Sequence, residues 1–286
     1  MISLDAIDRL TGGRLGTHDL PCPLCGPFKS AIGQRRKVMR VWRLEPGFAT
    51  YHCARCGESG YIRDRHAPAP DPVRLAKARA EAAERDRLHH ADRLDKARWL
   101  WSQRRPIAGT IAERYLREGR GITCRLPATL GFLPAHGEYP PSMIAAFGLA
   151  HEVEPGVIAI ADDALRGVHV TRLLPDGSDR ERGERAKITI GNSIGSPIVL
   201  APSSDALALA ITEGVEDALT VHEATGLGTW AAGSASRLPA LADAVPSHID
   251  CVTIYAHTDD DGRRHAIELA DALVRRGFEV FMEGLE

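Results

Sequence analysis

Hydrophobic and polar positions change rhythm three times along the chain. In residues 38–44 and 48–52 they alternate over short runs, which predicts two strands of a small sheet. From 73 to about 103 the sequence is rich in Ala, Arg, Glu and Leu and holds no glycine or further proline, which predicts one long helix. Its charges alternate in sign, so most of its surface is a solvated face with local ion pairs, and Leu94, Ala97 and Trp101 give it one apolar edge. Residues 110–118 predict a short helix ending at Gly119, and 157–160 and 168–174 predict strands, with Pro175-Asp-Gly-Ser178 as a hairpin turn. After residue 200, apolar runs at 206–212, 228–232, 249–256 and 279–282 predict buried strands. Between them, 215–223, 238–244 and 263–276 predict helices. Alternating strand and helix with short connections predicts a parallel sheet of crossover units.

These rhythms divide the chain into a multidomain α+β and α/β architecture. Residues 1–66 form a small ribbon-like module, and 67–105 a linker and the long helix. Residues 106–200 form a mixed α+β region, and 201–286 the parallel-sheet domain. Ala67-Pro-Ala-Pro-Asp-Pro72 is too rich in proline for helix or sheet and reads as the linker, with Asp71 capping the helix and Pro72 at its first position. At 286 residues the chain is long enough for two or three modules with their own cores. A net charge of −2 gives no global bias toward nucleic acid, so any such role rests on local patches. No apolar run approaches the roughly 20 residues of a membrane span, and the first residues lack the basic-then-apolar pattern of a secretory signal. The expectation is a cytoplasmic protein with no membrane partner.

Four of the six cysteines stand in two pairs, Cys22-Pro-Leu-Cys25 and Cys53-Ala-Arg-Cys56. In a reducing compartment such pairs are metal ligands rather than disulfides, and two knuckles suit a tetrahedral Zn²⁺. Four thiolates leave no open position, so the zinc is expected to be structural. Cys251 opens an apolar run and reads as a small core residue; Cys124 has no evident partner. Between the knuckles lie Lys29, Arg35, Arg36, Lys37, Arg40 and Arg43, with Trp42, Phe48 and Tyr51 nearby. Cations that neutralise phosphates and aromatics that stack bases suit single-stranded nucleic acid. The same residues would also make a solvated basic face.

A second constellation follows the first strand of the parallel sheet. Glu213 leaves that strand, Gly214 permits a sharp turn, and Asp217 sits four residues on, so both carboxylates lie on one side of the first helical turn. The third strand runs into His257-Thr-Asp-Asp-Asp-Gly262. Both acidic sets fall at the carboxyl ends of strands, where open α/β sheets build sites. Carboxylates converging there repel one another unless a cation such as Mg²⁺ or Mn²⁺ sits between them. The alternative is local: acids in a first turn favour the helix dipole, and Asp-Asp-Asp-Gly also suits a capping loop.

At these residues the chain resembles the Toprim-domain primases of phage and plasmid type. Ile211-Thr-Glu-Gly-Val-Glu-Asp-Ala-Leu219 is similar to the family's glutamate motif, and 252–266 to its Asp-x-Asp segment, with Gly262-Arg263 matching the usual glycine and basic residue. Upstream, Ala112-Glu-Arg-Tyr-Leu-Arg-Glu-Gly-Arg-Gly121, Leu130-Gly-Phe-Leu133, Ser142-Met-Ile-Ala145, Val168-His-Val-Thr-Arg-Leu-Leu-Pro-Asp-Gly177 and Ala186-Lys187 resemble the segment that precedes Toprim in those primases. The cysteine module is similar to their front zinc-binding domain. The resemblance implies a Rossmann-like Toprim domain over 201–286. Its site would hold Mg²⁺ or Mn²⁺ on Glu213, Asp217, Asp259 and Asp261, with Glu213 acting in proton transfer or metal positioning. Lys187, Arg172 and Arg263, with Arg35, Arg36, Lys37 and Trp42 of the ribbon, would contact nucleotide or DNA.

The implied reaction joins ribonucleoside triphosphates on a single-stranded DNA template, by attack of a 3′-hydroxyl on an α-phosphate with release of pyrophosphate. Counting back from Gly262, however, His257 stands where the family's first aspartate falls, so it enters the ligand set in place of an acid and puts activity in question. The chain has no Gly-x-x-x-x-Gly-Lys-Ser/Thr loop, so a replicative helicase would be a separate partner. Two other readings stay open: a catalytically altered module that binds single strands or recruits a helicase, and a Toprim nuclease.

Overall fold

Alternating burial along residues 37–53 and the turn chemistry around it build the first of two units into which the chain folds, Met1–Arg87 and Leu88–Glu286. The computed structural model describes residues 2–64, 72–183, 185–203 and 207–285. In the first unit Ser3 caps α1 (Leu4–Thr11), accepting a hydrogen bond from the Ala6 amide, and Gly12 ends it in the left-handed conformation. Four antiparallel strands follow in chain order across the sheet, β1 (Gly16–Pro21), β2 (Lys37–Glu45), β3 (Phe48–Cys53) and β4 (Ser59–Arg63), with a single turn of helix, α2 (Ala31–Arg35), before β2. Ala49, Tyr51 and Cys53 alternate inward along β3 and meet Ile7, Cys22, Met39 and Val41 in one small core. The two expected strands are there, and α1, β1 and β4 add to them.

The expected long helix is α3 (Pro72–Ser102), one residue displaced at each end. The proline-rich linker at 67–71, and with it the Asp71 cap, lies outside the described residues. No described helix is long and apolar enough to cross a membrane.

In the second unit Thr110 caps α4 (Ile111–Arg117), and Glu113 reaches back to accept from the Gly109 amide at 2.7 Å. β5 (Leu130–Leu133), β6 (Ser142–Phe147), a small hairpin of β7 (His151–Glu154) and β8 (Val157–Ala159), then β9 (Gly167–Arg172) and β10 (Lys187–Gly191) follow. The larger antiparallel sheet has the order β10-β9-β6-β5. Every residue of β6 is buried. Ile144 and Ala146 face Ala97 and Trp101 of α3, together with Val168 and Val170, which is the apolar edge expected of that helix. Met143, Ala145 and Phe147 face the other way, toward Tyr115 and Leu116.

The C-terminal sheet is built from β11 (Ile198–Ala201), β12 (Ala208–Thr212), β13 (Gly228–Ala231), β14 (Cys251–His257) and β15 (Glu279–Leu285), in the order β11-β13-β12-β14-β15. All neighbours are parallel except β11, an edge strand antiparallel to β13. The four expected parallel strands are present, though residue 206 lies outside the described ones. α5 (Val215–Thr225) covers one face through Val215, Ala218 and Leu219. α6 (Asp260–Arg275) covers the other through Ala266, Leu269 and Leu273. Helices on both faces of a mostly parallel sheet make the crossover fold expected, and its carboxyl edge is where a site belongs.

Two expectations need correction. Residues 238–244 form tight 3₁₀ turns, Pro239–Ala244, rather than an α-helix. The Arg276 guanidinium donates to the carbonyls of Ala242 and Val245 at their end. And α6 begins at Asp260, not at residue 263, because Asp259 acts as its N-cap and accepts from the Gly262 amide at 2.6 Å.

The core between α4, β6 and α5 also buries His169, whose ring stands edge-on to Phe147 at 6.2 Å with Nδ1 3.3 Å from the Thr189 hydroxyl. Burial pushes its pKa down to about 4, helped by the charges of Lys187 and Arg237 and opposed by Glu216. A histidine kept neutral in the fold but free to protonate once unfolded withdraws stability as pH falls from its ordinary 6.5 toward 4. The wild type should lose about 2 kcal/mol of unfolding free energy between pH 7 and pH 5 on this account. In urea titrations at the two pH values a His169→Gln variant should lose correspondingly less; equal losses would show that His169 does not titrate in this way.

Candidate functional site

The first unit gathers the four paired cysteines at one end of its sheet. Cys53 ends β3, Cys56 follows in the turn, and Cys22 and Cys25 follow β1. Their sulfurs all lie within 4.8 Å of one another, the one such group of His, Cys, Asp or Glu among the described residues. Burial and the neighbouring thiols of Cys22, Cys56 and Cys53 push the Cys25 thiol up to about 12. Four soft ligands at that spacing fit Zn²⁺.

The basic and aromatic residues around the knuckles divide into two groups. Arg40 is spent on a two-pronged ion pair with Asp19. Arg43 is buried against Asp8 at 2.7 Å. Tyr51 lies in the ribbon core and Trp42 is half-buried. Arg35, Arg36 and Lys37 are exposed. Sequence reasoning missed the aromatics that stand out most, Phe28 at 85 % and Tyr61 at 75 % exposure. Tyr61 lies 6.4 Å from the Phe48 ring. Both belong to elements too short to declare a face by alternation.

In the second unit the acids stand at the carboxyl edge of the parallel sheet. β12 ends at Thr212, so Glu213 leaves the sheet directly, and its carbonyl accepts from the Gly233 amide of the neighbouring β13 end. Gly214 caps α5; a Cβ there would come within 2.6 Å of Asp217 Oδ2, so only glycine leaves Asp217 room to fold back over the turn. His257, last residue of β14, places Nε2 3.1 Å from Asp217 Oδ2. Partial burial lowers its pKa, but the hydrogen bond that Asp217 accepts and the charges of Asp217, Glu213 and Asp259 outweigh that and hold it above the ordinary imidazole value. Gly262 is equally constrained: a Cβ would lie 2.9 Å from the His257 carbonyl and 3.1 Å from Asp259 Oδ1.

Glu213, Asp217, His257 and Asp259 therefore share one corner. Asp261 does not join them; it lies on the first turn of α6 and pairs with Arg264 at 2.9 Å, while Arg263 is exposed. Only Asp217 and His257 touch; Glu213 and Asp259 reach the ring through their charge alone, and among the described residues these donors do not close to the spacing that the cysteines have.

Beside this corner lies a buried polar knot that sequence reasoning missed. Glu216 Oε1 accepts from the Tyr115 hydroxyl at 2.7 Å, and Oε2 from the Lys187 ammonium at 3.3 Å. Burial would raise this carboxyl, but the Lys187 charge, a backbone amide and the two side-chain hydrogen bonds outweigh it and hold it at about 2. Lys187, expected to face nucleotide, thus sits at the first turn of α5. Arg172 lies 4.0 Å from Glu181. A cavity of about 780 Å³, lined by Arg104, Leu126, Pro202 and His222, opens at the amino end of β13, the edge opposite the acids.

Two family models match parts of the chain. Residues 91–200 match a family described as Domain of unknown function (DUF7146), and residues 208–283 match the Toprim domain. No curated protein matches. Among solved structures, the Aquifex aeolicus primase (zinc binding and RNA polymerase domains) is similar at 15 % identity and a TM-score of 0.39, over 100 % of this chain and 80 % of that one. The primase fragment of the bacteriophage T7 primase-helicase protein is similar at 11 % identity and a TM-score of 0.36, over 93 % of this chain and 88 % of that one. The C-terminal part of this chain, residues 208–283, is a Toprim domain, and its carboxyl-edge corner carries Glu213, Asp217, His257 and Asp259.

Proposed function

We propose that the chain is a DNA primase that joins ribonucleoside triphosphates at its Toprim corner on single-stranded template. The observation that carries this reading is the meeting of a Toprim acid turn with a lysine from the preceding sheet: Lys187 stands 3.3 Å from Glu216, one residue from Asp217. Carboxylates that hold a divalent cation next to an ammonium that meets phosphate are the two halves of a nucleotide site. Asp217, Asp259 and His257 would hold Mg²⁺ or Mn²⁺, which would neutralise charge on the triphosphate. Glu213 would accept the proton of the attacking 3′-hydroxyl; its oxygen bonds to the α-phosphorus as the bond to the leaving pyrophosphate breaks. Lys187 would orient the triphosphate. The exposed Arg35, Arg36, Lys37, Phe28 and Tyr61 of the ribbon would hold single-stranded DNA, and a separate helicase would open the duplex.

One observation favours a second reading. His257 occupies the position of the first aspartate and engages Asp217, which supports a primase-like module that binds single strands without synthesis.

Primer synthesis on single-stranded DNA with labelled ribonucleotides separates the two. Labelled oligonucleotides are expected with Mn²⁺, and Glu213→Gln should cut the rate by about 100-fold or more. No product with Mg²⁺ or Mn²⁺ from a chain that still binds DNA would leave the binding module, and cleavage of DNA without nucleotides would leave a nuclease. In the same assay His257→Asp should raise the Mg²⁺-supported rate relative to the Mn²⁺-supported one, since an oxygen replaces the nitrogen ligand. An unchanged metal preference would remove His257 from the ligand set. Stripping zinc from the cysteine cluster should release one Zn²⁺ per chain, detected with a chromogenic chelator, and weaken single-strand binding measured by fluorescence anisotropy.

A further inference from the structure

Glu216 has no place in the reaction sketched above, yet it is the most heavily engaged carboxylate near the site. Its side chain is 14 % exposed, and both oxygens are occupied, one by Tyr115 of α4 and one by Lys187 of β10. Tyr115, Val215 and Ala218 beside it are buried. An ion pair in such a place adds little stability over apolar packing, so its presence points to a task of orientation. That task is visible in the turn. A Cβ at Gly214 would lie 2.6 Å from Asp217 Oδ2 and 3.6 Å from Glu216 Oε2, so the two carboxylates flank the same glycine. Lys187 is anchored on the second of them. It spends one of its three donors there and keeps a third of its surface exposed.

We propose that Glu216 is a positioning residue: braced by the Tyr115 hydroxyl, it fixes the Lys187 ammonium beside the acid turn so that its remaining donors meet the phosphates of a nucleoside triphosphate. This rests on the nucleotide-binding reading given above and adds to it the residue that sets where the triphosphate lies. A long flexible lysine left untethered would surrender the entropy of its rotamers on binding; Glu216 and Tyr115 have already ordered it. The brace acts on phosphate alone, so it leaves recognition of the base and ribose untouched.

Isothermal titration of the full chain with ATP and Mg²⁺, and separately with adenosine, tests this in Glu216→Ala, Lys187→Ala, Tyr115→Phe and the Glu216→Ala/Lys187→Ala double variant. Glu216→Ala and Lys187→Ala should each weaken ATP by about tenfold, the scale of one charge-assisted hydrogen bond, with adenosine unaffected. The double variant should be no weaker than Lys187→Ala, because a brace has nothing to hold once the lysine is gone. Tyr115→Phe, which deletes one hydroxyl and keeps the ring in the core, should weaken ATP several-fold in the same phosphate-specific way, and it decides the matter if Glu216→Ala does not fold. Additive losses, equal losses for ATP and adenosine, or full ATP affinity in the brace variants while Lys187→Ala loses it would overturn the positioning role and leave the nucleotide site standing. A wild type that binds no ATP would overturn both.

Discussion

The apolar core that α5 shares with the antiparallel sheet fixes where the polar groups of the site can stand. It runs without a break from Ile107, Tyr115 and Leu116 through Met143, Ala145 and Phe147 to Ile198, Val215, Leu219 and Ala231. These residues come from the region before residue 200 and from the Toprim domain alike. Each large side chain buried there is worth about 1.5–3 kcal/mol, so the two regions share one cooperative core rather than docking as separate bodies. The site inherits its geometry from that packing. Val215, Ala218 and Leu219 seat α5 in that core, which also holds Tyr115; there Tyr115 reaches Glu216, and Lys187 stands at the acid turn.

What the sequence made legible follows from how local each signal is. The cysteine pairs, the long helix and the strand–helix alternation after residue 200 are written over stretches of a few to thirty residues, and each lies close to its expected bounds, save that 238–244 coils as 3₁₀ turns. β6 was invisible as an element because burial on both faces removes the alternation that marks a strand: Ser-Met-Ile-Ala-Ala-Phe reads the same in a buried helix. β11 was missed for another reason, since an antiparallel edge strand does not belong to the crossover rhythm that revealed its neighbours. Misjudged side chains share one cause. Arg40, Arg43 and Tyr51 carry the right chemistry for binding DNA, but the fold turns them to Asp19, to Asp8 and into the ribbon core.

Glu216 cannot be picked out by any local pattern. It lies within the motif that pointed to the site, between Gly214 and Asp217, and still nothing local distinguishes it from a solvated acid on a helix turn. Its partners are far away in sequence, Tyr115 on α4 and Lys187 on β10, and only the shared core brings the three together. A buried polar group declares itself through its partners, which a single sequence does not show.

The acid corner poses a question of charge that His257 answers. Glu213, Asp217 and Asp259 converge at the edge of one sheet, and three carboxylates there destabilise one another unless positive charge comes between them. Asp259 relieves part of this by giving an oxygen to the Gly262 amide at the start of α6, where the helix dipole favours an anion. The imidazole of His257 is the other group beside these acids. It lies against Asp217 in the electrostatic field of all three acids, and that field holds its pKa above the ordinary value. Such a histidine contributes stability that is present below the unfolded-state pKa of 6.5 and fades as pH rises through its elevated folded value. An aspartate at the same place would add a fourth negative charge and make the corner dependent on a metal ion for its shape. With histidine, a charge on the ring would balance the acids, and a divalent cation of the kind proposed above would compete with the ring proton for its nitrogen.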